Sequence, residues 1–204
     1  MAKAEKLDLF KEHRSEYVAK KTPTLVKVAP ARYLALDGHG EPGGEAFQAD
    51  IAALYGLAFT MKMASKFAGR DYRVCPLEGI WWADPKYRDP ARVPMDQWRW
   101  KLLIRVPSFI RASHLAQAKQ ALRAKSKPPE FEAAGIERIA EGPCVQMLHV
   151  GPYSAEEATV AKMAEFARSQ GLRFAGRHHE VYLSDPRRVP PERLRTILRQ
   201  PVRR

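Results

Sequence analysis

The sequence predicts an α+β fold, a duplicated strand-helix-strand-strand module with pseudo-twofold symmetry whose helices pack on a curved antiparallel sheet. Three observations carry that expectation. The first is an internal repeat. DPKYRDPARVPMDQWRWKLLIRV over residues 84–106 and DPRRVPPERLRTILRQPV over residues 185–202 share Asp-Pro, Arg-Val-Pro, an acidic residue (Asp96, Glu192), an apolar one (Trp98, Leu194) and Arg (Arg99, Arg195). The second is that the same order of elements precedes both copies. The third is one cleanly alternating strand: Trp98, Trp100, Leu102, Ile104 and Val106 fall on a packed face, while Arg99, Lys101 and Arg105 share a largely wet one with Leu103.

In chain order, residues 1–24 read as an N-terminal extension and residues 25–204 as a single domain. Its halves span about 25–112 and 136–204, joined by a linking helix over 113–126. Arg32 to Asp37 is a short apolar run ending at Gly38, and Val145 to Val150 is its counterpart ending at Gly151. Helical spacing follows each, through Phe47, Ile51, Leu54 and Ala58 in the first half and Val160, Met163, Ala164 and Ala167 in the second. Aromatic strands come next, Pro76-Leu-Glu78-Gly-Ile-Trp81-Trp82 and His178-His179-Glu180-Val-Tyr182-Leu183. The linking helix opens on Ser113 as its cap and closes before Pro128-Pro129, which cannot continue it. Ile136 to Ala140 then leads into the second half. A cleft is expected between the halves, and clefts between units are where small ligands usually bind.

Composition narrows the function. The chain of 204 residues is 45% apolar and 28% charged, ordinary for a globular protein and long enough to bury a core. Cys75 and Cys144 form no C-x-x-C pair, so a reducing cytoplasm is expected. The longest apolar stretch, Ile51 to Met61, is too short to span a membrane, and charges interrupt every apolar pair near the N-terminus, so no signal peptide is read there. The net charge of +12, with ten arginines between Arg168 and Arg204, attracts polyanions without a designed site. No zinc-finger spacing, RNP-like strand, helix-turn-helix pair or basic run joined to heptads accompanies it, so specific nucleic-acid recognition is not expected.

Two motifs invite ligands and resist them. Gly38-His-Gly40-Glu-Pro-Gly43 matches G-x-G-x-x-G, but Glu41 would set a carboxylate beside a pyrophosphate and Pro42 lacks the amide a phosphate would use. It reads as a turn, and no cofactor is expected. His178, His179 and Glu180 resemble metal ligands, yet a metal needs a third or fourth donor and only His149 offers itself, so no metal site is assigned. More informative is the recurrence of a glutamate on an aromatic strand in each half, Glu78 with Trp81 and Trp82, and Glu180 with Tyr182. A carboxylate among aromatic faces suits a cation or a flat conjugated ligand. Tyr153, Tyr55 and Phe59 are candidate walls of the same cleft, and which of Trp81 and Trp82 faces it is left open.

These residues together resemble the GyrI-like small-molecule-binding family. The resemblance rests on Pro76-Leu-Glu-Gly-Ile-Trp-Trp82, His178-His-Glu-Val-Tyr-Leu-Ser-Asp-Pro-Arg-Arg188, Asp37-Gly-His-Gly-Glu-Pro42, His149-Val-Gly-Pro-Tyr153 and Thr196-Ile-Leu-Arg-Gln-Pro-Val202. It implies a duplicated module with a ligand groove, and a partner that is a planar, lipophilic or cationic small molecule. With about 25 residues before the first strand, no DNA-binding segment and no direct control of transcription are expected. The chain looks most like the standalone branch that includes cyclopropanoid hydrolases, which open the strained ring of DNA-alkylating compounds. On that resemblance Glu180 is the expected catalytic base, Glu78 holds a basic group or a second water, and Trp81, Trp82, Tyr182 and Tyr153 form an aromatic cage. A non-catalytic protein that sequesters or senses such ligands is the alternative.

Overall fold

The computed structural model describes residues 6–87 and 92–204; residues 88–91, within the first copy of the repeat, lie outside the described residues. The elements are α1 (Leu9–Glu12), α2 (Arg14–Tyr17), β1 (Thr24–Val28), β2 (Ala31–His39), α3 (Glu45–Phe67), β3 (Leu77–Trp82), β4 (Arg99–Arg105), α4 (Ala112–Arg123), β5 (Gly135–Ile139), β6 (Gly142–Val150), α5 (Glu156–Ser169), β7 (Arg173–Phe174), β8 (His178–Tyr182) and β9 (Arg195–Arg203). The fold is α+β, and the duplicated module is present as β2-α3-β3-β4 and β6-α5-β8-β9, the second with the short β7 added. The shared acidic-apolar-Arg motif has the same form in both copies. A single 3-10 turn, Met95–Gln97 or Pro191–Arg193, delivers the chain into the last strand.

The chain divides into two compact units, the first built from residues up to Glu12, Ala31–Cys75 and Trp81–Ile139, the second from His13–Pro30, Pro76–Ile80 and Ala140–Arg204. In the first, β2 lies between β4 and β5, both antiparallel to it. Helix α3 packs on β2 and β4 and against α4, burying Leu54, Leu57, Ala58 and Met61. In the second, β6 lies between β1 and β9, and β8 pairs with the other edge of β9, all antiparallel. Helix α5 covers this sheet, with Met163 and Ala167 set among Val145, Met147, Leu198 and Val202.

Four sequence expectations change. Strand β1 was assigned to the first half but pairs with β6, and β5, expected to lead into the second half, pairs with β2. Each unit therefore takes an edge strand from the segment before the other copy of the module. Residues 13–24 also carry structure of their own: Tyr17 is 1% exposed, Gln146 Nε2 donates to the Ser15 carbonyl at 2.8 Å, and the Leu148 amide donates to the Lys20 carbonyl at 2.7 Å. Helix α4 starts one residue early, with Arg111 as cap residue and its amide donating to His114 Nδ1 at 3.2 Å, so Ser113 caps nothing. The polar face of β4 is wet only at its start. Lys101 meets Asp37 at 2.8 Å and Glu137 at 2.6 Å, but Leu103 and Arg105 are buried.

The glycine-rich turn serves packing. Gly38 lies opposite Trp100 in the β2–β4 register, and Trp100 Nε1 donates to Asp50 Oδ2 at 2.8 Å. A Cβ on Gly38 would overlap both Asp50 Oδ2 and Trp100 Nε1. Gly40 and Gly43, with φ of 129° and 81°, turn the chain toward α3 in a conformation that other residues adopt only under strain. Gly38→Ala should therefore destabilise the protein by roughly 1–3 kcal/mol or more, read as a lowered midpoint in urea denaturation, because an indole and a carboxylate must both move.

Candidate functional site

Strand β8 shows two chemically different faces because successive side chains alternate. His179 and Val181 point one way and are fully buried; His178, Glu180 and Tyr182 point the other and are partly buried. On the buried face His179 stands directly opposite Arg199 of β9, a pairing of two cationic side chains that are 0% and 1% exposed. Glu141 resolves the conflict, with Oε2 3.0 Å from His179 Nδ1 and 3.4 Å from Arg199 Nη1. The other ring nitrogen lies 3.1 Å from Glu78 Oε2, and Glu78 Oε1 accepts a 2.7 Å hydrogen bond from the Tyr17 hydroxyl. The guanidinium also donates to the Glu16 carbonyl.

Burial opposes charge on His179, but Glu141 and Glu78 outweigh it and raise the imidazole from 6.5 to about 9. Burial likewise opposes charge on Glu141, and there His179 and Arg199 win, holding its carboxyl below the usual range. The network thus reads as two cations balanced by two carboxylates.

The opposite face gathers a second group of titratable side chains. Glu180 Oε1 is 3.4 Å from His178 Nε2, their side chains being 12% and 24% exposed. Glu156, the first residue of α5, completes a group in which one donor atom from each of the three residues lies within 4.8 Å of the others. Burial first, and then the neighbouring Glu180 carboxylate, push the Glu156 carboxyl well above the ordinary carboxylate range. Glu156 therefore holds its proton well into the range where ordinary carboxyls have lost theirs. Beside them the Tyr153 and Tyr182 rings meet edge to face at 5.9 Å. Burial and the charges of Glu180, Glu156 and Asp185 push the Tyr153 hydroxyl up to about 12, so it stays a donor.

Local structure explains this arrangement. Gly151 takes φ of 142°, turning the chain out of β6 into the 3-10 turn Tyr153–Ala155 that opens α5. His149 holds that turn. Its Nε2 lies 3.2 Å from the Pro152 carbonyl, which can only accept, so Nδ1 accepts from the Thr159 hydroxyl at 2.9 Å. His149 is a latch between β6 and α5, and both of its ring nitrogens are engaged.

Of the residues named from sequence, Glu180, Tyr182 and Tyr153 come together. Glu78 lies on the buried network, where Tyr17 and His179 engage its carboxylate in place of the ligand group expected there. Trp81 is 9% exposed and packs in the first unit among Phe47, Trp98 and Trp100, with ring centroids at 5.3, 6.4 and 5.8 Å. Trp82 is half-buried on the other face of β3. Tyr55 and Phe59 stack at 6.0 Å one turn apart on α3, Phe59 being 54% exposed. The residue missed is Glu156; His178 and Glu180 were read as sharing a strand face, and the third donor beside them was not. Glu156 could have been found from its place in the first turn of the helix that follows Gly-Pro-Tyr.

The sequence profile of the GyrI-like small molecule binding domain matches residues 21–203. Among solved structures, a hydrolase from Listeria innocua is 39% identical, with a TM-score of 0.88 over 98% of this chain and 100% of that one. A conserved protein from the same organism, described as uncharacterized, is also 39% identical, with a TM-score of 0.90 over 97% of this chain and 100% of that one. The EcmrR C-terminal domain is similar in fold alone, with a TM-score of 0.57 at 10% identity over 90% of this chain and 98% of that one. No curated protein matches the chain.

Two titrations should appear in stability. The raised His179 gives a contribution that is complete below about pH 6.5 and is lost as pH rises through about 9. Denaturation midpoints across that window should fall for the wild type and fall less for His179→Gln, which starts from a lower stability. Glu156 has the same sign from a lower starting point, since its raised carboxyl favours the fold only while protonated and that advantage drains away above about pH 4.5. Glu156→Gln, the isostere of the protonated form, should be more stable than wild type at pH 7–8 by about 1–3 kcal/mol, with the gain gone near pH 4.

Proposed function

Because the chain belongs to the GyrI-like small-molecule-binding family, we propose that it binds planar lipophilic or cationic small molecules and adds water across a strained ring in them. The observation that carries this is the carboxyl pair beside two tyrosines, Glu156 protonated and Glu180 next to it. A carboxyl that keeps its proton beside a second carboxyl can supply both an acid and a base to one reaction. The 39% identical relative named a hydrolase supports the same class of reaction.

Tyr153 and Tyr182 offer ring faces and edges to a flat conjugated ligand, which also limits the approach of bulk water. Glu180 accepts a proton from a water molecule, whose oxygen attacks a ring carbon. The carbon–carbon bond of the three-membered ring breaks as the new carbon–oxygen bond forms, and its electron pair moves into the conjugated system. That system takes up a proton from Glu156, so the net change is the addition of one water. Ring strain supplies part of the driving force, and the protein contributes position and proton management. His178, 3.4 Å from Glu180, fixes the orientation of the base.

The test uses a cyclopropane conjugated to a cyclic dienone, with binding followed by fluorescence and turnover by mass spectrometry. Wild type should yield product one water heavier. Glu180→Gln should lower turnover by roughly a hundredfold or more with affinity nearly unchanged. Turnover at the wild-type rate in Glu180→Gln would remove the general base, and binding with no product in wild type would make the protein a sequestering or sensing domain.

A further inference from the structure

We propose that Glu156, His178 and Glu180 form a binding site for one late first-row divalent cation, zinc being the case that fits. Among the described residues this is the group of His, Cys, Asp and Glu side chains close enough to share an ion, with donor atoms all within 4.8 Å of one another. Of these, His178 Nε2 and Glu180 Oε1 are 3.4 Å apart, a separation suited to neighbouring ligands on one ion. They come from one face of β8 at a spacing of two, and Glu156 comes from the start of α5. Ligands from two elements of regular structure are held more firmly than ligands from loops.

A second observation points to an occupant. Glu156 is 9% exposed, and its Oε1 is buried with no hydrogen-bond partner. A buried acceptor left without a partner is costly, and a second carboxylate beside it adds like charge. A cation answers both needs, since it neutralises the two carboxylates and engages the orphan oxygen. The donor set selects the ion. One imidazole and two carboxylates suit zinc and its neighbours, whereas magnesium and calcium prefer oxygen alone. Three protein ligands leave a fourth position for water.

The group differs from the candidate ligands that the sequence offered and that gave no site. His179 belongs to the buried network on the opposite face of β8, and His149 is committed to Thr159 and Pro152. Glu156 supplies the missing donor. Ion binding goes beyond the hydrolytic reading and is a separate state of the same residues, because an ion on both carboxylates leaves Glu156 no proton to give and Glu180 no free lone pair; with no organic ligand present, either reading can fail without the other.

The experiment titrates zinc into the full chain, stripped of metal with a chelator, against a chromophoric zinc indicator at neutral pH with no organic ligand present. One ion per chain should bind, and saturation should raise the thermal midpoint. His178→Ala and Glu156→Gln should each weaken binding by at least the roughly 10–100-fold that even supporting partners of metal ligands are worth. Exposed His39 serves as control, and His39→Ala should bind as wild type does. Since Glu156→Gln replaces the carboxyl by its isostere, a folded, zinc-blind variant separates loss of a ligand from loss of the fold. Failure of the wild type to compete with the indicator, or wild-type affinity in both His178→Ala and Glu156→Gln, would overturn the proposal.

Discussion

His179 and Arg199 face each other across β8 and β9 with almost no solvent between them and the protein interior, and everything nearby answers that juxtaposition. Left alone, two buried cations in register would repel and lose their hydration. Glu141 touches both, Glu78 takes the remaining ring nitrogen, and Tyr17 donates to Glu78 from a helix at the other end of the sequence. Such a network adds little stability over an apolar core of equal volume, but it specifies arrangement strongly, because losing one partner strands a buried charge. What it specifies here is the register of β8. A slip of one residue would move His179 to the site face and carry His178 and Glu180 into the charge network, since side chains alternate along a strand. The position of the candidate base on one face is therefore secured by ions on the other.

Much of the fold was legible in the sequence because the module is repeated. Strand, helix and final two strands recur in order, and the acidic-apolar-Arg motif marks the same 3-10 turn in both copies. The pairing of β1 with β6 and of β5 with β2 was not legible. Periodicity reports which residues share a face of a strand, but not which neighbour a strand chooses. The cap of α4 was misplaced by two residues for a local reason: Ser113 has the right side chain for a cap, yet Arg111 already lies in the extended conformation a cap requires and His114 reaches back to its amide.

The site was half legible. Alternation alone placed Glu180 with Tyr182 and His178 on one face of β8. Similarity between the two halves misled at Glu78, which resembles Glu180 as a glutamate on an aromatic strand but is spent on Tyr17 and His179. Equivalent positions in a duplicated fold need not share a role once one of them is enlisted by the core. Glu156 escaped notice because a glutamate in the first turn of a helix has an ordinary explanation, favourable interaction with the helix dipole.

That explanation is what the structure overturns. At the first residue of α5 the dipole favours the ionised form, yet burial and the Glu180 carboxylate prevail and leave the proton on Glu156. A sequence selected for stability alone would place glutamine or an apolar residue there, since either avoids the expense of holding a proton at neutral pH. The surroundings then reinforce the unfavourable arrangement. The left-handed Gly151 and the His149 latch bring Glu156 toward β8, and the ion network on the far face denies β8 the register that would separate the carboxylates. A strained pair that several independent features hold in place is what the proposed proton chemistry requires, because packing by itself offers no reason to keep two acids together.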